Sequence, residues 1–112
     1  MTTIPSERSG ELIEVPSGTV TFLFTDIEGS TQLLDRLREQ YASVLAEHHE
    51  IMRTAIVHHH GREIGTQGDA FFVAFARAQE AVACVVDAQR ALASHAWPQG
   101  TTVRVRMGLH TG

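Results

Sequence analysis

The spacing of apolar residues constrains the fold most strongly, because it alternates between a strand period and a helix period along the chain. Residues 19–25 (TVTFLFT) are rich in β-branched and aromatic residues, and both faces are apolar enough to bury, which predicts a buried, central strand. Leucines then recur at helical spacing from Gln32, and a second helical stripe runs from Tyr41 to Ile56. Gly61 is predicted to end the second helix, and Ser30 or Thr31 to cap the first.

The second half of the chain repeats the alternation. Residues 62–65 and 70–76 predict two strands around a tight turn at Gln67-Gly68, with Phe71, Val73 and Phe75 on one face. An amphipathic helix is predicted over 78–93, and residues 101–109 alternate as a strand with one apolar face. The order strand, two helices, hairpin, helix, strand predicts an α+β, ferredoxin-like sandwich. In it the helices pack on an antiparallel sheet.

Length and composition suit one domain or part of one. The chain has 112 residues, of which 43% are hydrophobic and 20% charged, a balance that can bury a core. Residues 1–17 contain Pro5, Pro16 and Gly10 and predict a flexible N-terminal segment ahead of a domain over 18–112. The last predicted strand is followed directly by Gly112, so we expect the domain to be truncated at its C-terminus.

Charge and hydropathy exclude several function classes. A net charge of −4 provides no general basic surface, so we expect no direct contact with nucleic acid. No apolar run approaches the roughly 20 residues of a membrane helix, and the polar start has no signal-peptide region. Cys84 is the single cysteine, so no internal disulfide can form, and a cytoplasmic location is expected.

Two aspartates carry the chemistry that the layout predicts. Asp26 follows the first strand and Asp69 precedes the second strand of the hairpin. If these strands are antiparallel neighbours, both carboxylates face one point and repel each other, and a bound Mg²⁺ or Mn²⁺ would relieve the repulsion. The helix start after Asp26 offers free N–H groups that favour a phosphate. The residues alone therefore indicate metal-dependent nucleotide chemistry.

Three blocks, FLFTDIEGST, GTQGDAFFVAF and VRVRMGLHTG, resemble the amino-terminal portion of the class III adenylyl and guanylyl cyclase catalytic domain of a bacterial-type member. The resemblance spans 18–112. It implies that Asp26 and Asp69 bind two Mg²⁺ or Mn²⁺ ions and that a purine nucleoside triphosphate is cyclised to a 3′,5′-cyclic nucleotide with release of pyrophosphate. It also implies a head-to-tail dimer, as a homodimer or with a hetero-partner cyclase domain. The implied triphosphate-binding backbone belongs to Ile27, Glu28, Gly29 and Ser30.

The sequence departs from this family in two places. Gly65 stands where the family carries a lysine that reads the purine base, and a later asparagine–arginine block does not occur within the 112 residues. We therefore expect an incomplete cyclase with weak or no activity alone, because lost charge stabilisation costs on the order of 100-fold in rate. The choice between ATP and GTP stays open. The alternative is a degenerate cyclase-like module that senses nucleotide or dimerises within a transcriptional regulator.

Other polar residues are assigned structural roles. The run His58 to His60 lies at a helix end, and consecutive histidines do not share a helix face, so it is interpreted as a helix terminus rather than a metal site. Arg104 and Arg106 are interpreted as a solvated or interface-facing strand surface. Cys84 is interpreted as a core residue.

Overall fold

The computed structural model describes residues 2–5, 12–15 and 18–112. Two short 3-10 turns, at Arg38–Gln40 and Pro98–Gly100, connect its regular elements. The strands and helices are β1 (Thr2–Pro5), β2 (Leu12–Val15), β3 (Thr21–Ile27), α1 (Ser30–Leu37), α2 (Tyr41–His58), β4 (Arg62–Gln67), β5 (Ala70–Phe75), α3 (Ala78–Ser94) and β6 (Val105–Thr111).

The main sheet has four antiparallel strands in the order β4-β5-β3-β6. This is the strand order of a ferredoxin-like sandwich, so the predicted α+β fold is confirmed. One sheet face packs with α2 and α3 around a core in which Leu23, Val73, Phe75 and Met52 are completely buried. The alternation that placed Phe71, Val73 and Phe75 on one face is confirmed as well, because all three belong to that core.

Strand β3 is central, as predicted, but only one of its faces is fully buried. Leu23 and Ile27 point into the helix-covered core, whereas Phe24 on the opposite face is 50% exposed. The prediction that both faces are buried was therefore wrong. The helices pack on the first face, and Phe24 contributes instead to a stacked aromatic group with Phe22 and Phe72.

Helix α1 begins differently from the prediction. Its N-cap is Gly29, in the left-handed conformation at φ 65°, and no side chain caps the helix. The carbonyl of Gly29 accepts from the N–H of Leu33 at 3.0 Å, so Ser30 already belongs to the helix. The predicted Ser30 or Thr31 cap was wrong because a glycine reaches this backbone conformation without the steric penalty of a Cβ.

Helix α2 buries the predicted stripe, including Val44, His48 and Met52. Its end is marked by His60 at φ 62°, not by Gly61. The N–H of Gly61 donates to the carbonyl of Ile56 at 2.8 Å, the hydrogen bond of a Schellman ending. Gly61 serves packing instead, since a Cβ there would lie 2.8 Å from the ring of Phe75.

The hairpin and the last strand are shifted from their predicted positions. The turn between β4 and β5 comprises Gly68 and Asp69, one residue later than predicted, with Gly68 at φ 58°. Strand β6 begins at Val105 rather than residue 101, and Leu109, predicted on its apolar face, is 43% exposed. Strand β6 lies at the edge of the sheet, where cover by the helix layer is less complete.

The segment over 1–17, predicted to be flexible, contains two short antiparallel strands. Strands β1 and β2 pair with Thr2 opposite Val15, and the flexibility of the segment stays a prediction. Residues 1, 6–11, 16 and 17 lie outside the described residues, and the domain boundary at 17/18 stays a prediction. Among the helices that the structure describes, none is both long and apolar enough to cross a membrane.

Candidate functional site

Asp26 lies near the end of β3 on the face that the helices leave open. Directly opposite it on β6 is Arg106, whose Nε and Nη2 donate to the two carboxylate oxygens at 2.8 Å and 2.9 Å. These hydrogen bonds, together with the positive charge of Arg106, lower the pKa of Asp26 despite partial desolvation. Asp26 is therefore an anion at neutral pH. From the sequence, Arg106 was interpreted as part of a solvated or interface-facing strand surface. Its pairing with Asp26 was missed because the partner depends on the register between β3 and β6.

Asp69 lies in the two-residue turn before β5 and reaches back to β3. Its Oδ2 accepts from the backbone N–H of Ile27 at 2.5 Å, one residue beyond Asp26. The charges of Glu28 and Asp69 also help to raise the pKa of Arg106, after the larger contribution of the hydrogen bond to Asp26. The predicted approach of the two strand tips is therefore present. Cation binding by Asp26 and Asp69 stays a prediction.

The backbone between β3 and α1 is the predicted phosphate-binding segment. Two of its four N–H groups already have protein acceptors: Ile27 donates to Asp69, and Glu28 donates to the carbonyl of Arg104 at 2.8 Å. Gly29 is the N-cap of α1 and Ser30 is the first residue of its first turn, where N–H groups have no carbonyl partner within the helix. The N–H groups of Ile27 and Glu28 are thus already engaged, and phosphate binding by this segment stays a prediction.

An open cleft of about 550 Å³ adjoins Asp26 on the open face of the sheet. Gly65, the position where the family lysine is missing, lines this cleft and lies opposite Phe72 in the β4–β5 pair. The aromatic group continues the same face, with ring centroids of Phe24 and Phe72 4.7 Å apart. The wall also includes Thr25, Gln67, Ala70, Phe71, Arg106, Met107 and Gly108.

Helix α2 supports the turn that carries Asp69, and the sequence analysis missed this contact. His49 donates from Nε2 to the carbonyl of Gly68, with 2.8 Å between the two atoms. Its ring meets the edge of Phe71 at 5.2 Å between centroids. Tyr41 is also near, because burial and then the charge of Asp69 raise the pKa of its hydroxyl. The placement of two adjacent histidines on a predicted helix gave no indication of which turn they would meet.

The donor set fits a hard divalent cation. Both carboxylates lie at one corner of the sheet, Asp26 is ionised, and carboxylate oxygens are the ligands that Mg²⁺ prefers. Arg106 already neutralises part of this negative charge, so a cation would compete with its guanidinium for Asp26. The competition is weak, since the Arg106 side chain is 65% exposed and exposed ion pairs contribute little.

The fold and its paired carboxylates define a two-layer α+β domain with an anionic corner beside an open cleft. The family model described as the adenylate and guanylate cyclase catalytic domain matches residues 13–112. The chain therefore belongs to the class III nucleotide cyclase catalytic domain family.

Relatives and solved structures agree with this assignment. The chain is 38% identical over 99 residues to an uncharacterized protein of Mycobacterium tuberculosis, covering 87% of this chain and 32% of that protein. It is 33% identical over 119 residues to an adenylate cyclase of Lachancea kluyveri, covering 89% and 6%. An adenylate cyclase structure from Trypanosoma brucei superimposes with a TM-score of 0.81 at 26% identity, covering 89% and 59%. The chain thus spans about a third of the mycobacterial relative.

Proposed function

We propose that this chain binds a purine nucleoside triphosphate together with Mg²⁺ or Mn²⁺ at the corner formed by Asp26 and Asp69, as part of a nucleotide cyclase active site. The observation that carries the proposal is the hydrogen bond from the Ile27 N–H to Asp69, which anchors the second carboxylate beside the first. The open cleft next to Asp26 supplies the space for the nucleotide.

Each part of the site has a separate task in this proposal. Asp26 and Asp69 hold the metal ions, which supply activation of the attacking oxygen and stabilisation of the leaving pyrophosphate. Gly29, Ser30 and the first turn of α1 bind phosphate oxygens through N–H groups, aided by the helix dipole. Arg106 moves from Asp26 toward a phosphate oxygen, because the guanidinium fork suits either anion.

The reaction proposed is conversion of ATP to 3′,5′-cyclic AMP and pyrophosphate, the activity named for the Lachancea relative. Base selection is the weakest element of this chain's site, because Gly65 offers no side-chain donor to the cleft. Gln67 lines the same cleft and provides the nearest side-chain amide. We expect little discrimination between ATP and GTP in binding to this chain.

Catalysis in this proposal needs residues beyond these 112. The asparagine–arginine block associated with the family is not among them, so additional chain or a partner cyclase domain must supply it. The half-exposed Phe24 and the open cleft lie on the face that the helices leave uncovered, where a second domain can complete the site. In this proposal, the chain takes part in signalling through a cyclic nucleotide in the cytoplasm.

A pair of substitutions at Asp69 tests the metal site. Asp69→Asn keeps an oxygen acceptor for the Ile27 N–H but removes the charge, whereas Asp69→Ala removes both. We expect both variants, and Asp26→Asn, to bind Mn²⁺ more weakly by at least about tenfold in isothermal titration, since a charged hard-oxygen ligand is lost. Asp35→Asn, an exposed carboxylate on α1, is the matched control and keeps wild-type affinity.

The same variants separate binding from folding. Without metal, Asp69→Ala loses about 1–3 kcal/mol in urea unfolding because a partly buried N–H is left without an acceptor, and Asp69→Asn loses less. Nucleotide binding is measured with a non-hydrolysable ATP analogue, and turnover with ATP and Mn²⁺. Unchanged Mn²⁺ affinity in Asp26→Asn and Asp69→Asn would refute the site. We expect this chain to bind the nucleotide without turnover. We expect addition of a partner cyclase domain to restore turnover.

A further inference from the structure

A second cluster of metal-ligating side chains lies where the end of α2 meets α3. Helix α2 ends at His58, and His59 follows outside the helix at φ −103° and ψ 21°. The two rings are perpendicular, with centroids 4.8 Å apart. His59 pairs with Asp87 on α3, and a ligand atom of His58 lies within 4.8 Å of a ligand atom of each. Consecutive histidines within a regular helix do not share a face, but the backbone leaves helical geometry at His59, and the ligand atoms of the two rings lie within 4.8 Å of each other.

We propose that His58, His59 and Asp87 form a binding site for a borderline transition-metal cation, Zn²⁺ in the first place, that links the end of α2 to α3. One ligand atom from each side chain lies within 4.8 Å of the other two. Ligand atoms around tetrahedral Zn²⁺ are roughly 3.3 Å apart, given metal–nitrogen distances of about 2.0 Å. Side-chain rotation closes the remaining gap, because His58 and Asp87 are exposed.

The electrostatics of the cluster favour a cation. The C-terminus of α2 carries the negative end of its helix dipole. The pKa of Asp87 is lowered, chiefly by its hydrogen bond with His59, so this carboxylate is ionised. The distance from His59 Nε2 to Asp87 Oδ2 is 2.5 Å, and a metal ion between them would replace that hydrogen bond. The positive charge of Arg90, which also helps to lower the pKa of Asp87, opposes binding.

The ligand set selects the class of metal. Two imidazoles and one carboxylate suit Zn²⁺, and imidazole suits Mg²⁺ and Ca²⁺ poorly. Three protein ligands leave a coordination position open. His58 and Asp87 also line a groove of about 390 Å³ between α2 and α3, whose wall includes His95 and Glu50. His60 points elsewhere, because its Nδ1 pairs with Glu80 at 2.9 Å.

The test is titration of the folded chain with ZnCl₂ in the presence of saturating Mg²⁺, which occupies the carboxylate corner at Asp26 and Asp69. His59→Gln and Asp87→Asn each remove one ligand, and circular dichroism confirms that the variants are folded. His60→Gln is the matched control, since it removes the neighbouring histidine without touching the cluster. We expect one bound Zn²⁺ in the wild type, a loss of more than about tenfold in affinity in both ligand variants, and an unchanged control.

Co²⁺ in place of Zn²⁺ gives an independent readout, because its visible absorption reports a low-coordinate nitrogen and oxygen environment. The proposal predicts this absorption in the wild type and in His60→Gln, and its loss in His59→Gln and Asp87→Asn. It is overturned if Zn²⁺ uptake is not saturable, if the ligand variants bind as the wild type does, or if the control weakens binding equally. In any of these cases the cluster is an ion pair only.

Discussion

The burial of His48 predicts that acid destabilises this domain in a defined pH range. The side chain is completely buried on α2, and neither ring nitrogen has a hydrogen-bond partner among the described residues. Its ring meets the edge of Phe71 with centroids 5.8 Å apart. Burial, and then the nearby His49, lower the pKa of His48 from 6.5 to about 4, and the charge of Asp69 opposes this shift only partly.

The sign and size of the effect follow from proton linkage. The unfolded chain takes up a proton at His48 below pH 6.5, whereas the folded chain excludes it until the pH approaches 4. The contribution of His48 to the free energy of unfolding is therefore complete above pH 6.5. It decreases as the pH drops from 6.5 toward 4. The slope is about 1.4 kcal/mol per pH unit, which amounts to about 2 kcal/mol between pH 6.5 and pH 5.

The assay is urea unfolding of the wild type and of His48→Met, monitored by circular dichroism at a series of pH values from 7.5 to 5. Methionine has a similar volume and no group that titrates in this range. Below pH 6.5, we expect the difference in free energy of unfolding between the wild type and His48→Met to change by about 1.4 kcal/mol per pH unit. At pH 7.5 we expect His48→Met to be more stable by about 1 kcal/mol, because two buried nitrogens without partners are removed.

His110→Gln is the control, since it removes an exposed histidine on β6 and leaves the core unchanged. The effects of the remaining histidines cancel in the comparison between wild type and variant. The reasoning is refuted if the wild type and His48→Met lose stability in parallel below pH 6.5. It is also refuted if His110→Gln removes as much of the pH dependence as His48→Met does.

Three further predictions concern single sites. Gly61→Ala destabilises the domain by about 1–3 kcal/mol in urea unfolding, because its Cβ would lie 2.8 Å from the buried ring of Phe75; Gly108→Ala, with nothing within 4 Å, is nearly neutral. His60→Gly raises the free energy of unfolding by about 0.5–1 kcal/mol, since the residue is held at φ 62°, and an unchanged or lower value contradicts this. Cys84 resists alkylation in the folded chain at pH 8, because burial raises the pKa of its thiol to about 11; labelling at the rate of the urea-unfolded chain would contradict this.

Local periodicity predicted much of the fold, because it depends only on which residues neighbour each other in a strand or helix. The alternation of Phe71, Val73 and Phe75 and the apolar stripe of α2 were enough to place the core. Features that depend on backbone dihedrals at element ends were missed. The Gly29 cap and the left-handed His60 each follow from how one helix begins or ends, which periodicity does not report.

For the candidate site, the sequence was enough to predict that the two strand ends carrying Asp26 and Asp69 lie close together. The approach of Asp26 and Asp69 follows from strand order and direction, which the ferredoxin-like arrangement implies. Pairing of Arg106 with Asp26 needs the register between β3 and β6, and a shift by one residue would turn Arg106 to the other face. The meeting of His59 with Asp87 needs the exit geometry of α2, so no spacing rule could have identified it.

The Asp26–Arg106 pair means that the anionic corner carries its own counter-ion before any ligand arrives. The guanidinium of Arg106 pairs with Asp26 and also feels the charge of Asp69, so it offsets part of the negative charge of this corner. Because this ion pair is exposed, salt is expected to weaken it. The net charge that an incoming triphosphate meets at the corner is therefore expected to depend on ionic strength.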